Sequence, residues 1–469
     1  MGVTTKLKNN EPITAALIGC GERGLNAYGR YALKNPSRLK FVACADPNPL
    51  KRQIFAKLHH IPPHLTFSSD TDLLNAGKLA DAIFICTLDQ FHEKEVLPAL
   101  DLGYHIFLEK PMTTTEEGCR KIVAQAENSG KILAVGHVLR YAPLFQKVKE
   151  ILNSGMIGEV VNIKHSENMA TWVYAHSFVR GNWENSKKTS SLLLQKGVHD
   201  FDLIYWFAGT LPARVSMFAK PSNLNAAHAP TDAPLRCTDG CPHEETCIYE
   251  ARRFYMQAKW ILQDNARSEK FWIRRIFKLI LKHPKLARFL SYSLFHFLKT
   301  YKVFPWRTWP VDEQLTTDLS DEGILQAIQE GPYGRCVYYC NNDQPVSYIT
   351  NIQFTNDLTA TYTLHGMSYR DGRELRIDGT KGSLKANFYN TGFFLETYDH
   401  LTGSTRKWKV PLEKVPGGGG DLYIIDGFLD AIHGIAPPLT PAQESLISHL
   451  IVFAAERSFK NGTIEKIKV

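Results

Sequence analysis

Residues 12–135 place five short apolar runs, at 15–18, 41–44, 82–86, 105–108 and 132–135, between stretches whose apolar residues recur at helical spacing. A strand that is apolar at every position is buried on both faces, which requires helices on both sides of its sheet. Parallel neighbours also need a long crossover, and the intervening helices provide it. The alternation therefore predicts a doubly wound parallel sheet with helices over 24–33, 49–58, 92–102 and 115–128. Thr113 to Thr115, followed by Glu116 and Glu117, give the last helix a polar cap and an acidic first turn that the helix dipole favours.

From residue 143 the pattern changes. A helix over 143–153 leads into a strand at 160–165, and short alternating runs follow at 346–354, 359–365, 374–378, 382–386 and 393–397. Alternation with turns at each end predicts an open, mostly antiparallel sheet with one face buried. The run Pro416 to Gly420 reads as a flexible loop before a helix from Asp421. The expected organisation is an α/β chain with a dinucleotide-binding domain over 1–142 and a second α/β domain over 143–469. The second domain is interrupted by a helical, cysteine-containing insertion over about 220–334.

No stretch reaches the roughly 18 unbroken apolar residues of a membrane span. The polar segment 1–11 lacks a signal-peptide core, and Lys6 stands where a myristoylation motif needs Ser or Thr, so a cytoplasmic location is expected. The net charge of +8 is uneven: residues 251–310 hold 14 Lys or Arg against 2 acids, which leaves −4 for the rest. No nucleic-acid-binding motif accompanies this basic segment.

The chemistry concentrates at the ends of the predicted strands, where open α/β sheets bind ligands. Gly19-Cys20-Gly21-Glu22-Arg23-Gly24 lies between a strand and a helix, and Asp46 closes the next strand. Glycines there let backbone approach a pyrophosphate at a helix N-terminus, while the acid takes ribose hydroxyls and repels a 2′-phosphate. NAD is the cofactor expected, with NADP the alternative because Lys51 and Arg52 follow closely. Thr87 lines the nicotinamide side; His92 either contacts the cofactor or begins a helix. Lys110, in Glu109-Lys110-Pro111, brings a cation to the same edge.

With Gly136-His137-Val138-Leu139-Arg140-Tyr141-Ala142-Pro143 and Gly197-Val198-His199-Asp200-Phe201-Asp202 added, the chain resembles the glucose-fructose oxidoreductase, inositol dehydrogenase and rhizopine-catabolism (Gfo/Idh/MocA) family. The resemblance implies a Rossmann domain, a C-terminal sheet domain that builds homodimers or homotetramers, and hydride exchange between a nicotinamide and a sugar or cyclitol hydroxyl. It places catalysis on Lys110 and His199 and adds Glu22, Arg23, Glu109 and Arg140 to the cofactor side. His199 would be the general acid/base and Lys110 would polarise the alcohol oxygen. Many members carry an acid four residues before the histidine, where this chain has Gln195, so Asp200, Asp202 or Lys196 is expected to supply what the amide cannot. Glu167, Asn168, Trp172, His176, Arg180 and Trp183 form a polar, aromatic stretch suited to a sugar, with Glu167, Asn168, Trp183, Gln195 and Asp200 the chosen substrate contacts. Two other readings stay open: a redox-assisted glycosidase, and a non-catalytic NAD-binding regulator.

In the insertion, Cys237, Cys241 and Cys247, with His243 as a spare ligand, precede Cys336 and Cys340. Four thiolates from these groups could hold a structural zinc; an iron–sulfur cluster, or reduced or disulfide-paired cysteines, are the alternatives. Predicted helices over 271–281 and 286–298, broken at Pro284, mix aromatic and basic residues. They suit an oligomer or domain interface and, as the less favoured reading, an anionic membrane surface or acidic partner.

Overall fold

The computed structural model describes residues 11–256, 266, 271–283, 310–389, 392–410 and 420–469. The expected helix over 286–298, its break at Pro284, and residues 416–419 of the glycine-rich loop lie outside that set. The first sheet contains β1 (Ile13–Ile18), β2 (Leu39–Ala45), β3 (Thr66–Phe67), β4 (Ala82–Ile85), β5 (His105–Leu108) and β6 (Leu133–Val135). They run in the order β3-β2-β1-β4-β5-β6, and every pairing is parallel. The order reverses between β1 and β4, which opens the crevice where doubly wound sheets take dinucleotides. Local capping fixes the helices: Asn48 accepts from the N–H groups of Leu50 and Lys51, and Thr115 accepts from that of Gly118.

The second sheet contains β7 (Val160–Ala170), β8 (Pro212–Lys220), β9 (Ser347–Phe354), β10 (Thr359–Ser368), β11 (Gly372–Gly379), β12 (Gly382–Tyr389), β13 (Gly392–Asp399), β14 (Thr405–Lys407) and β15 (Glu465–Lys466). Its order is β14-β13-β12-β11-β7-β10-β9-β8-β15. The β7–β10 pair is parallel, whereas its neighbours are antiparallel. A long chain excursion separates these two strands, which is the connection a parallel pair requires. Strand β8 and the closing helix Ala442–Asn461 were not expected from the sequence.

Two packings join the halves. Helix Gly420–Ile432 returns from the far end of the chain and buries Ile424, Ile425, Phe428 and Leu429 against Leu17, Phe84 and Phe107 of the first sheet. Helix Ala442–Asn461 places Leu450, Ile451 and Val452 in the core shared by both sheets. The segment between β8 and β9 has its own small core of Cys237, Ala251, Tyr255, Val311, Ile324, Ile328 and Tyr333. Among the described residues no helix is long and apolar enough to cross a membrane.

Candidate active site

The glycine loop leaves β1 with Gly19 at φ +92°, where an added Cβ would stand 2.6 Å from the carbonyl oxygen of Cys86. A Cβ on Gly24 would lie 2.2 Å from the Gly19 carbonyl, while one on Gly21 would meet nothing within 4 Å. Gly19 and Gly24 therefore satisfy packing, and Gly21 faces the open space that a pyrophosphate needs. Asp46, nearly buried, accepts from the backbone N–H of Cys20 and of Asn48, each at 2.8 Å. Its carboxylate is thereby fixed beside the loop, and these residues fit an NAD.

Lys110 emerges from β5 at the same edge and donates from Nζ to the carbonyl oxygen of Gln195 at 2.7 Å. Burial, and next the ammonium of Lys196, bring its pKa down to about 8. His199 is near enough for Lys110, after burial, to help hold the imidazole well below the usual histidine range. Its ring meets His137 edge-on at 5.8 Å, and His137 stands 5.7 Å from His449. Nδ1 of His199 and Oε1 of Gln195 are buried without a hydrogen-bond partner. A buried polar atom left this way calls for an explanation, and a bound group at the strand edge supplies one. Gln195 sits in the π-helical turn Leu193–Gly197, an irregularity common at functional sites.

Two family models match: the oxidoreductase family, NAD-binding Rossmann fold, over residues 13–137, and the oxidoreductase family, C-terminal alpha/beta domain, over 149–250. The chain belongs to the Gfo/Idh/MocA oxidoreductase family. It is 28% identical over 423 residues to the oxidoreductase YteT of Bacillus subtilis, covering 86% of this chain and 83% of that one. Inositol 2-dehydrogenase of Corynebacterium glutamicum strain R is 26% identical over 228 residues, 48% of this chain and 63% of the relative. The WlbA dehydrogenase of Bordetella pertussis, solved with NADH and UDP-GlcNAcA, shares the fold at a TM-score of 0.59 and 16% identity, covering 98% of this chain and 100% of that one.

Several residues assigned from the family motifs are occupied elsewhere in this Gfo/Idh/MocA protein. Arg140 is buried and grips Asp202 with Nε at 2.7 Å and Nη2 at 2.8 Å, so it braces the helix Val198–Ala208 rather than reaching a cofactor. That bracing consumes Asp202 too. Arg23 is spent on Glu109 at 2.6 Å and Asp421 at 2.7 Å. Burial raises the pKa of Glu109, but Arg23 and the Tyr28 hydroxyl outweigh it and hold the carboxylate ionised. These residues form a strut beneath the cofactor edge. His92 begins the helix His92–Asp101 and sets Nδ1 2.8 Å from the Pro111 carbonyl and Nε2 3.2 Å from that of Thr87, so its ring packs between two strand ends. Thr87 donates to Glu95 at 2.5 Å, and Glu22 accepts from Asn26 at 2.8 Å.

The substrate assignments divide along the pleat of β7. Successive strand residues point to opposite faces. Glu167 faces inward, directly across from Arg373 of β11, which it meets at 3.0 Å. Asn168 faces the other way and pairs with His365 at 3.0 Å, away from Glu167. Asp200 is fully buried and satisfied by His165 at 2.6 Å, Arg373 at 2.6 Å and Tyr362 at 3.1 Å, so it serves as an anchor and not as a substrate contact. Burial opposes its charge, but Arg373 and His165 hold it well below the usual carboxylate range. Glu167 responds in the opposite direction: burial, only partly offset by Arg373, pushes its pKa up to about 8, and its Oε2 has no partner. Trp183 packs near Phe178 with its indole N–H unpartnered. His176 and Arg180 belong instead to the packing of the segment between β8 and β9, where His176 contacts Tyr255 and stacks on Tyr333. Arg373, Tyr362 and His449 carried no motif that could have marked them, and His137 stood in the motif 136–143 without being singled out; their strands and helices meet only in three dimensions.

The zinc expectation is not met: among the described residues no group of three or more His, Cys, Asp or Glu side chains could hold a metal ion. All nine cysteines are free. Cys237, Cys241, Cys247 and Cys336 do line one small cavity, but the guanidinium of Arg180 enters it and donates to Cys237 Sγ at 3.3 Å. His243 is turned to the carbonyl oxygen of Thr231 at 2.8 Å.

Proposed function

We propose that this protein is an NAD-dependent dehydrogenase acting on a secondary hydroxyl of a sugar, glycoside or cyclitol. The observation that carries the reading is the amine of Lys110, tuned to about 8 and electrostatically coupled to a neutral His199 beside the cofactor edge. NAD, when bound, supplies the hydride acceptor. Residues 1–142 hold it, with room for the pyrophosphate at Gly21 and ribose hydroxyls at Asp46; this acid favours NAD over NADP. As hydride leaves, the hydroxyl must lose its proton. The neutral imidazole accepts it, Lys110 polarises the oxygen, and the Gln195 amide orients the hydroxyl. The inositol dehydrogenase relative supports a cyclitol, and the nucleotide-sugar complex of the WlbA neighbour supports a sugar. Phe218 and Ile349, paired on the open face of the second sheet and both exposed, support a homo-oligomer built through that face.

Glu167 favours a second reading. A carboxyl held neutral at pH 7 can protonate a leaving group, which a redox-assisted glycosidase needs after transient oxidation. The test is to incubate the purified protein with NAD and a panel of sugars, cyclitols and glycosides. Net NADH from a polyol supports the dehydrogenase, and glycoside cleavage without net NADH supports the glycosidase. Lys110→Ala and His199→Ala should each lose about 10²–10⁴-fold in turnover with NAD affinity kept. Bound NAD with no hydride exchange on any member of the panel would refute both and leave a regulatory protein.

A further inference from the structure

One element of the second half has no place in the chemistry above. Helix Phe271–Lys282 lies within the segment between β8 and β9, and none of its described side chains joins any of the three hydrophobic cores. Instead it exposes large apolar groups: Phe271 is 65% exposed, Trp272 63%, Ile276 49% and Leu279 56%. At about 100° per residue these four positions fall within one arc of roughly 140°. Trp272, Leu279 and Ile276 occupy the last roughly 60° of it, while Arg275, Lys278 and Lys282, also exposed, cluster around Phe271 at its other end. A water-facing helix would not hold four such groups in the open.

The sequence around the helix says what covers that face. Residues 271–310 contain nine Lys or Arg, eleven Phe, Trp or Tyr, and no Asp or Glu. A protein partner or a second copy would present the mixed charges of an ordinary surface, and the chain outside residues 271–310 carries only −1, since 8 − 9 = −1. An anionic bilayer matches both halves of the composition: its phosphates attract the basic arc, and its headgroup boundary takes aromatic and aliphatic side chains. We propose that helix Phe271–Lys282 docks this protein on the surface of an anionic lipid membrane, lying in the interface with Trp272, Ile276 and Leu279 inserted and with Phe271 among the basic residues at the headgroups. The helix has 12 residues, too few to span. Because residues 271–310 carry +9 and the rest of the chain −1, attraction to the surface is concentrated in this segment and docking is oriented.

Full-length protein is mixed with vesicles of phosphatidylcholine alone or with anionic phosphatidylglycerol added, sedimented, and assayed for bound fraction at low and high salt. Binding to anionic vesicles at least tenfold stronger than to phosphatidylcholine, weakened by high salt, is expected. Trp272→Glu with Leu279→Glu should reduce that binding at least tenfold, and Arg275→Glu with Lys278→Glu should do the same. Both variants should keep NAD binding and the wild-type circular dichroism, which separates docking from folding. Absence of vesicle binding overturns the proposal, as does equal, salt-insensitive binding to both lipids. Concentration-dependent self-association in sedimentation velocity that the same substitutions abolish, without lipid binding, assigns the face to a second copy and also overturns it.

Discussion

The charge state of Lys110 can be moved without touching Lys110. Burial is the larger cause of its depression from 10.5 to about 8, and the ammonium of Lys196 is the next. At about 1.4 kcal/mol per pH unit, the surroundings disfavour the Lys110 ammonium by about 3 kcal/mol. Lys196→Met removes the smaller cause and is expected to return about one unit. Because the Lys110 ammonium polarises the alcohol oxygen, about a hundredth of the wild-type protein is competent at pH 10 and about a tenth of the variant. kcat/KM for NADH formation should therefore rise about tenfold at pH 10 and change less than twofold at pH 7, with the limb moving from about 8 to about 9. Initial rates across that range provide the measurement. A limb that stays near 8, or a loss uniform across pH, would refute the coupling. The sign for stability follows from the same group: the folded state gives up the proton first, so the Lys110 penalty is full below pH 8 and is relieved as pH rises from about 8 to 10.5.

If the protein is the glycosidase, Glu167→Gln, which keeps the neutral shape of the side chain but removes its proton, should lower glycoside cleavage about 10²-fold with NAD affinity unchanged. Because the folded pKa is raised from 4.5 to about 8, the Glu167 contribution to stability is complete below 4.5 and lost as pH rises to about 8; urea titrations of the variant should show that slope removed. Gly21→Ala should fold normally and weaken NAD binding at least about tenfold, whereas Gly24→Ala, whose Cβ would sit 2.2 Å from the Gly19 carbonyl, should cost stability before binding is measured. Arg140→Met strands the buried Asp202 carboxylate and should cost about 3–5 kcal/mol in denaturant unfolding, much of it recovered by adding Asp202→Leu.

The central strands β1, β4, β5 and β6 were legible because they are buried almost throughout, a signal carried within a few residues, whereas the two-residue, half-buried β3 was not expected. Lys110 and His199 were legible through motifs. The roles of Arg140, Asp200, His92 and Asn168 were not, because a motif says that a residue is present and not what it bonds. Asp200 sits next to His199 in sequence, yet its partners His165, Tyr362 and Arg373 come from β7, β10 and β11. Asn168 shows the same gap at the smallest scale: one residue from Glu167, it points to the opposite face because a strand alternates.

Taken alone, the chain determined the strand–helix alternation, the glycine loop with Asp46, and the basic, acid-free stretch over 271–310, since each depends on neighbours in sequence. Tertiary structure decided which charges are spent and which are free. Arg140 and Arg23 went to buried carboxylates, Arg373 divided itself between Asp200 and Glu167, and the residual burial left Lys110 and Glu167 both titrating near 8. The cost of burying a charge depends on every group packed around it, and those groups are gathered from strands and helices hundreds of residues apart.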